Sequence, residues 1–394
     1  MSARTRFDAS LVKAAVAAGW VYSGRGLGLL WIVAINRELG IAQYGYYALA
    51  VGLAPLIATV LENPFVVRSI RVSDEEFHAE RFTRVLLGAT CVGLGVASIG
   101  SVYVLGYGLI VAGGELIFNA YKSVHLRAGS PDIVNRLDTI RQVTSICCGV
   151  GALLLLPDPT VLAVSLAYAA PYLVVLVVAA ATIPVRRPVF PGRPKEASLL
   201  SAEALVHAAN VQGDLLLLGL LTDSTIAGYY SLASVTAWAL VTPTQAYGQT
   251  YHESLRLADG ALTAGPPWRR SVAVSGLSAA VLAAVGAGLL WLSPVPDPVG
   301  TTMLVLSVFV FGRSMNTIFA IIMYAQHRDR ARFGWALPAL PLKLGGVALA
   351  ASAGLGAVGA GIACAVAELV LLAAYSRLVY GRAGQHAAAG AVAR

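Results

Sequence analysis

This sequence is short of charge. Asp, Glu, Lys and Arg together make up 12% of its residues, about half the share usual in soluble domains. A water-soluble enzyme with a solvated surface is thereby excluded. Cysteine is scarce too. Cys91, Cys147, Cys148 and Cys364 all fall inside apolar runs and lack metal-ligand spacing. They exclude a disulfide framework and a structural zinc site, and read as small buried apolar residues. There is no Gly-rich loop of the Walker type, so no nucleotide site of that kind. No connection between apolar runs is long enough for an extracytoplasmic catalytic domain. No outer loop carries the paired acids with which a membrane glycosyltransferase holds a metal. The same tight loops disfavour a polysaccharide polymerase or ligase. The expectation is a chain that is no enzyme, with no cofactor and no metal, and that moves something across a membrane.

What is abundant is apolar sequence. The chain is 57% hydrophobic, with a mean hydropathy of +0.73. Runs long enough to cross a bilayer recur from end to end, which indicates an all-α polytopic membrane protein with about 12 transmembrane helices. The first run, Leu11–Ile35, contains Arg25 and has no small-residue cleavage site behind it, so it reads as a retained span rather than a signal peptide. The third and fourth spans, Val85–Leu105 and Gly106–Leu126, are joined by almost no loop. The fifth, Ile140–Leu156, stops at Pro157-Asp158-Pro159, and the ninth, Val272–Leu292, stops at Pro294. The seventh is Ser201–Leu221 and the eleventh Trp335–Gly354, the latter holding Pro338 and Pro341, which predict a bend near Lys343.

The net charge of +8 does not imply a nucleic-acid partner, because the basic residues alternate from one connection to the next. Odd-to-even connections hold little beyond Arg37. Even-to-odd connections hold Arg68, Arg71, Arg81, Arg84, Arg127, Arg136, Arg186, Arg187, Arg193 and their like. Basic residues are retained on the cytoplasmic side. Both termini are therefore expected in the cytoplasm. Arg far outnumbers Lys, and Ala, Gly and Val are abundant, a composition associated with GC-rich bacterial genomes. The expected location is the bacterial cytoplasmic (inner) membrane.

A repeat divides the chain. Gly45-Tyr-Tyr-Ala-Leu-Ala50 has a near copy in Gly228-Tyr-Tyr-Ser-Leu-Ala233, each following an apolar segment and a polar turn. The expected organisation is an N-terminal six-helix lobe over 1–184, a Pro- and Arg-rich cytoplasmic linker over 185–198, and a C-terminal six-helix lobe with a short tail over 199–394. Six spans per half make the repeat parallel. Tyr46, Tyr47, Tyr229 and Tyr230 follow the outer turns and read as interfacial belt residues.

Three basic residues fall inside spans: Arg25, Arg313 and Lys343. A cation at mid-bilayer costs at least ~2.5–3.5 kcal/mol on insertion scales, so each faces a partner or a wet cavity. Arg25 sits in Ser23-Gly24-Arg25-Gly26-Leu27-Gly28, where glycine loosens the helix. Arg313 has Asn316 and Thr317 one turn on. The acids in or near spans are Glu62, Glu115, Glu203, Asp214 and Glu368. Each charge has two readings, contact with a substrate or pairing between helices. For Asp214 the reading is a structural or gating partner, and Glu62, Glu115 and Glu368 join it as candidate gating or coupling groups.

Asn36-Arg-Glu-Leu-Gly-Ile-Ala-Gln-Tyr-Gly-Tyr-Tyr-Ala-Leu-Ala50, after a first span with a central basic residue, resembles the opening of Wzx-type polysaccharide flippases. These belong to the multidrug/oligosaccharidyl-lipid/polysaccharide exporter superfamily. Asp214 through Gly228-Tyr-Tyr-Ser-Leu-Ala233 is similar to that family's seventh-to-eighth-helix signature. The resemblance implies two parallel six-helix lobes in a V-shaped, MATE-like fold with a cationic central cavity. It implies alternating access that moves an undecaprenyl-pyrophosphate-linked oligosaccharide from the inner to the outer leaflet for surface polysaccharide synthesis. Its setting would be membrane lipid, a glycan polymerase and glycosyltransferases. Arg25 carries over first as a substrate-binding residue, then Arg313, Lys343 and Asn316, since Arg grips a pyrophosphate through paired hydrogen bonds. Lipid II flippases of the same superfamily carry extra helices that this chain lacks, which disfavours that branch. The alternatives are a multidrug-type small-molecule antiporter and a non-transporting scaffold of a glycan assembly complex. Arg25→Ala, at normal membrane abundance, is expected to lower surface glycan while the lipid-linked precursor accumulates inside the cell; normal glycan would sink the cationic-site reading.

Overall fold

The computed structural model describes residues 27–69, 72–127, 131–251, 254–255, 258, 260–292, 296–326 and 328–381. All regular structure among them is helical. In chain order the helices are α1 (27–39), α2 (Ile41–Arg68), α3 (Asp74–Ser98), α4 (Tyr103–Arg127), α5 (Pro131–Leu155), α6 (Val161–Ala169), α7 (Pro171–Thr182), α8 (Pro194–Leu221), α9 (Ser224–Gln249), α10 (Trp268–Leu292), α11 (Asp297–Ala325), α12 (Asp329–Ser352) and α13 (Gly356–Tyr380). Among the described residues, seven stretches are long and apolar enough to cross a membrane: α2, α4, α6 with α7, α10, α11, α12 and α13. The broken helix α8 makes an eighth if its two parts form one span.

Two of the remaining helices, α3 and α5, fall on expected spans but fail that test for visible reasons. α3 begins at Asp74, well ahead of the expected Val85. Ser73 accepts the Glu76 N–H, and Asp74, Glu75 and Glu76 occupy the first turn, where the helix dipole favours acids. α3 therefore carries a charged half before its apolar half. α5 takes in Arg136, Asp138 and Arg141. α5 stops before Pro157, as the spacing predicts, whereas Pro171 opens α7 at a break the sequence pattern does not mark. α12 runs through both Pro338 and Pro341. Gly40, with φ 81° and ψ 163°, adopts a conformation L residues rarely reach, so α1 folds against α2 without an intervening loop.

The chain forms two compact units, Met1–Gln212 and Gly213–Arg394. The division falls within α8, later than the expected linker, because the start of α8 is held by the first unit. Asn63 Nδ2 donates to Leu200 O at 2.9 Å, and Ser201 Oγ donates to Val60 O at 2.9 Å. Residues of the expected linker are bound there too, Val189 N–H donating to Thr83 Oγ1 at 2.9 Å.

In the first unit, α3 and α4 approach along facing glycines. A Cβ on Gly88 would lie 2.7 Å from Gly113 O, and one on Gly95 would lie 2.6 Å from Gly106 O. Without a hydrophobic drive between helices in lipid, such close backbone contact supplies the packing. Ala54, Ala58 and Ala112 do the same between α2 and α4. In the second unit α11 is central, packing on α9, α10 and α13. Gly286 and Gly300 form the matching close contact between α10 and α11. The core at the far end of α11 comprises Met315, Ile318, Phe319, Ile322, Leu371 and Tyr375. Gly113→Leu is expected to destabilise the protein by about 1–3 kcal/mol through overpacking, seen as a lower melting temperature in detergent. Gly93→Leu, at a position with open space around it, is expected to leave that temperature unchanged.

Candidate functional site

A carboxylate within an apolar helix must find partners among its neighbours, because hydrocarbon offers none. Asp214, on α8, finds four. Its Oδ2 lies 2.9 Å from Lys343 Nζ on α12 and accepts the Tyr230 hydroxyl of α9 at 2.5 Å. The Cys364 Sγ of α13 is 3.3 Å from the same oxygen, and Tyr230 OH is 3.3 Å from that sulfur. Oδ1 accepts the Leu215 N–H at 3.0 Å. Asp214 and Lys343 are each 3% exposed, and Tyr230 and Cys364 are each 1% exposed. Four helices thus converge on one buried ion pair.

A second polar cluster in this unit joins α11 to α13. Arg313 NH1 lies 3.2 Å from Glu368 Oε1. Asn316 Nδ2 donates to Glu368 Oε2 at 2.7 Å and to the Glu368 carbonyl at 2.9 Å. Gly312 lets the helices close, since a Cβ there would sit 3.2 Å from Glu368 Cβ. The Arg313 guanidinium lies 5.1 Å over the Trp238 ring of α9. Its side chain is 20% exposed, against 7% for that of Glu368. Arg313 Nε and Asn316 Oδ1 are buried without a hydrogen-bond partner. This cluster, unlike the Asp214 pair, has unused hydrogen-bonding capacity and a partly open cation.

The first unit holds two further clusters. Glu115 on α4 accepts the Tyr172 hydroxyl at 2.6 Å and lies 3.2 Å from Arg141 of α5. Glu62 on α2 pairs with Arg84 of α3, and Asn119 Nδ2 of α4 donates to it at 2.5 Å. Arg84 is 2% exposed, so this cation of the expected flank is a buried helix clamp. Arg81 is buried beside it and donates to the Ala120 carbonyl at 2.9 Å. Ahead of the apolar half of α3, burial raises the Glu80 carboxyl above its usual range despite Arg68. Burial, followed by the nearby Arg84 charge, lowers Arg81 to about 10.

The belt reading of the repeat tyrosines is corrected at two of four positions. Tyr46 is exposed and Tyr229 half-buried, but Tyr47 and Tyr230 are buried. Tyr47 accepts the Trp31 indole N–H at 2.9 Å. Trp31 precedes Tyr47 by the same sixteen residues that separate Asp214 from Tyr230. In the register of the repeat, Trp31 therefore corresponds to Asp214. Cys364 likewise is no bland filler, since it completes the Asp214 cluster, and Cys147 is exposed.

Of the candidate residues, the structure pairs Asp214 with Lys343, and Arg313 and Asn316 with Glu368. Glu62 and Glu115 are engaged within the first unit. Arg25, and the side chain of Glu203, lie outside the described residues. The partners missing from the sequence reading are Tyr230, Cys364, Trp238, Tyr172, Arg141 and Arg84. Only Tyr230 carried a signal, through its place in the repeat. Lys343→Met is expected to destabilise the protein by about 3–5 kcal/mol, since it strands Asp214. Lys343→Met with Asp214→Leu is expected to recover much of that loss, as read from membrane abundance and thermal unfolding in detergent.

No family model matches the sequence, and no curated protein matches it. Solved structures do. One is the lipid II flippase MurJ in an inward closed conformation, with a TM-score of 0.69 at 11% identity, covering 92% of this chain and 87% of that one. Another is an inward-facing multidrug resistance MATE family transporter of the MOP superfamily, with a TM-score of 0.63 at 12% identity, covering 93% of this chain and 94% of that one. The eukaryotic MATE transporter AtDTX14 gives a TM-score of 0.52 at 14% identity, covering 94% of each chain. At such identity the fold is what is shared. These neighbours are a flippase and transporters, none of them an enzyme. The chain is a multi-pass membrane protein with the fold of MOP-superfamily flippases and transporters.

Proposed function

We propose that this protein is a flippase that carries a lipid-linked oligosaccharide, on an undecaprenyl-pyrophosphate-type anchor, from the inner to the outer leaflet by alternating access. The twelve-span, two-lobe organisation and the cytoplasmic termini of the inner membrane belong to this reading. Its service is surface polysaccharide synthesis. The observation that carries it is Arg313. This cation lies within an apolar helix, is partly exposed, rests on Trp238 and keeps an unpartnered Nε. A pyrophosphate presents paired oxygens that suit a guanidinium edge. A bound phosphate would compete with Glu368 for Arg313, leaving Asn316 to hold the released carboxylate.

Arg25 stands beside Arg313 as a second binding cation, by its family resemblance. Lys343 is assigned differently. Buried and paired with Asp214, it locks helices rather than meeting substrate. Glu62 and Glu115 serve as clamps of the same kind, and Glu368 as the group that substrate displaces. The multidrug-type reading is supported by the MATE likeness, which extends over 94% of that chain. Against it, the carboxylates Glu115, Asp214 and Glu368 each face a basic side chain rather than one another.

Loss of one charge-assisted hydrogen bond costs about 1.5–3 kcal/mol, so Arg313→Gln is expected to slow translocation by roughly 10- to 100-fold. The measurements are surface glycan and inner-leaflet lipid-linked precursor at matched protein levels, with Arg313→Lys expected to be intermediate. Unchanged glycan with altered drug susceptibility would favour the antiporter instead.

A further inference from the structure

The segment between α7 and α8 is neither helix nor free tether, and it presents a surface that the function above does not use. Its backbone is extended after Thr182 and is fixed at both ends to the first unit. Ile183 is buried against Val85, Ile117, Ala120 and Ala179. Farther along, Thr83 Oγ1 accepts the Val189 N–H at 2.9 Å and lies 3.1 Å from the Val189 carbonyl. Pro191 is buried. Gly192, at φ 73°, lies so close to the Arg68 guanidinium that a Cβ there would collide with it.

Between these anchors the side chains face outward. Val185 is 79% exposed and Phe190 62% exposed. Arg186 and Arg187 are exposed between them, and Arg193 and Lys195 follow. Of the acids at this end, Glu76 and Glu80 are paired with Arg68 and Glu196 lies in the first turn of α8. Arg186, Arg187, Arg193 and Lys195 outnumber Glu196, so the strap's own charge is left positive. The strap begins directly after an apolar span, Val161–Thr182, which sets it at the depth of the lipid headgroups. Two exposed apolar groups flanking paired arginines at that depth match the interfacial pattern of apolar insertion plus attraction to anionic lipid. Because the backbone is already fixed, binding orders little further chain.

We infer that residues 184–193 form a preformed interfacial strap in which Arg186 and Arg187 bind the headgroups of anionic lipids while Val185 and Phe190 insert beside the acyl chains. The site rests on membrane residence alone and is independent of what the protein transports.

The test uses the full chain in nanodiscs of phosphatidylcholine with and without phosphatidylglycerol. The readouts are phosphatidylglycerol retained on the protein by native mass spectrometry and the melting temperature. Phosphatidylglycerol is expected to raise the wild-type melting temperature. Arg186→Gln with Arg187→Gln is expected to lower phosphatidylglycerol binding by about five-fold for each arginine removed and to abolish that rise, with no change in phosphatidylcholine alone. Phe190→Ser is expected to weaken retention with all charges kept. The exposed pair Arg269 and Arg270, at the start of α10, provides the control. If Arg269→Gln with Arg270→Gln loses as much binding as the strap variant, or if the strap variant binds as wild type, the inference is overturned.

Discussion

An ionised group within hydrocarbon has no solvent to fall back on, and that constraint organises this protein's interior. Asp214 faces Lys343, Glu368 faces Arg313, Glu115 faces Arg141 and Glu62 faces Arg84. Each pair joins different helices. The charges that composition marks as rare are thus concentrated where they cross-link the bundle. The desolvation they incur is offset only when every lone pair finds a donor, which is why Tyr230, Cys364, Asn316, Tyr172 and Asn119 gather around the carboxylates. That completeness is not reached at Arg84, Arg141 or Arg313, each of which keeps a buried Nε without a partner. Of the three, Arg313 has the most exposed side chain, and there a ligand has something to bind.

The two units solve the same local problem in different ways. Trp31 and Tyr47 in one, and Asp214 and Tyr230 in the other, occupy equivalent places in the repeat. In the first the indole donates to the phenol; in the second the phenol donates to a carboxylate. The tyrosine changes from acceptor to donor, which its hydroxyl allows without moving. Introducing the carboxylate requires a cation, and α12 supplies Lys343. The first unit instead surrounds Trp31 with rings, Tyr168 stacking on it at 5.2 Å.

Much of the helix order was legible because hydropathy and proline punctuation act locally: α5 and α10 end where Pro157 and Pro294 foretell. The charged half of α3 was missed because hydropathy weighs apolar residues and overlooks the cap at Ser73. Hydropathy places Arg81 and Arg84 on a flank for the same reason, whereas the structure buries both. The partners of Asp214 and Glu368 were beyond reach, since they lie on helices far apart in sequence and pairing depends on packing. Tyr47 and Tyr230 were misplaced because a tyrosine at the start of a span looks alike whether it faces lipid or core. The repeat held the information, since its register aligns Trp31 with Asp214, but only the geometry gives that alignment meaning.

The glycine seam between α3 and α4 also bears on how the chain enters the membrane. α3 is not apolar enough to partition by itself, whereas α4 is. Only a few residues separate them, and Gly88, Gly95, Gly106 and Gly113 let their backbones touch along most of their length. A helix that leaves the translocon reluctantly is drawn in by the next one when the two can zip together at once. The seam therefore makes α3 and α4 a single unit of insertion.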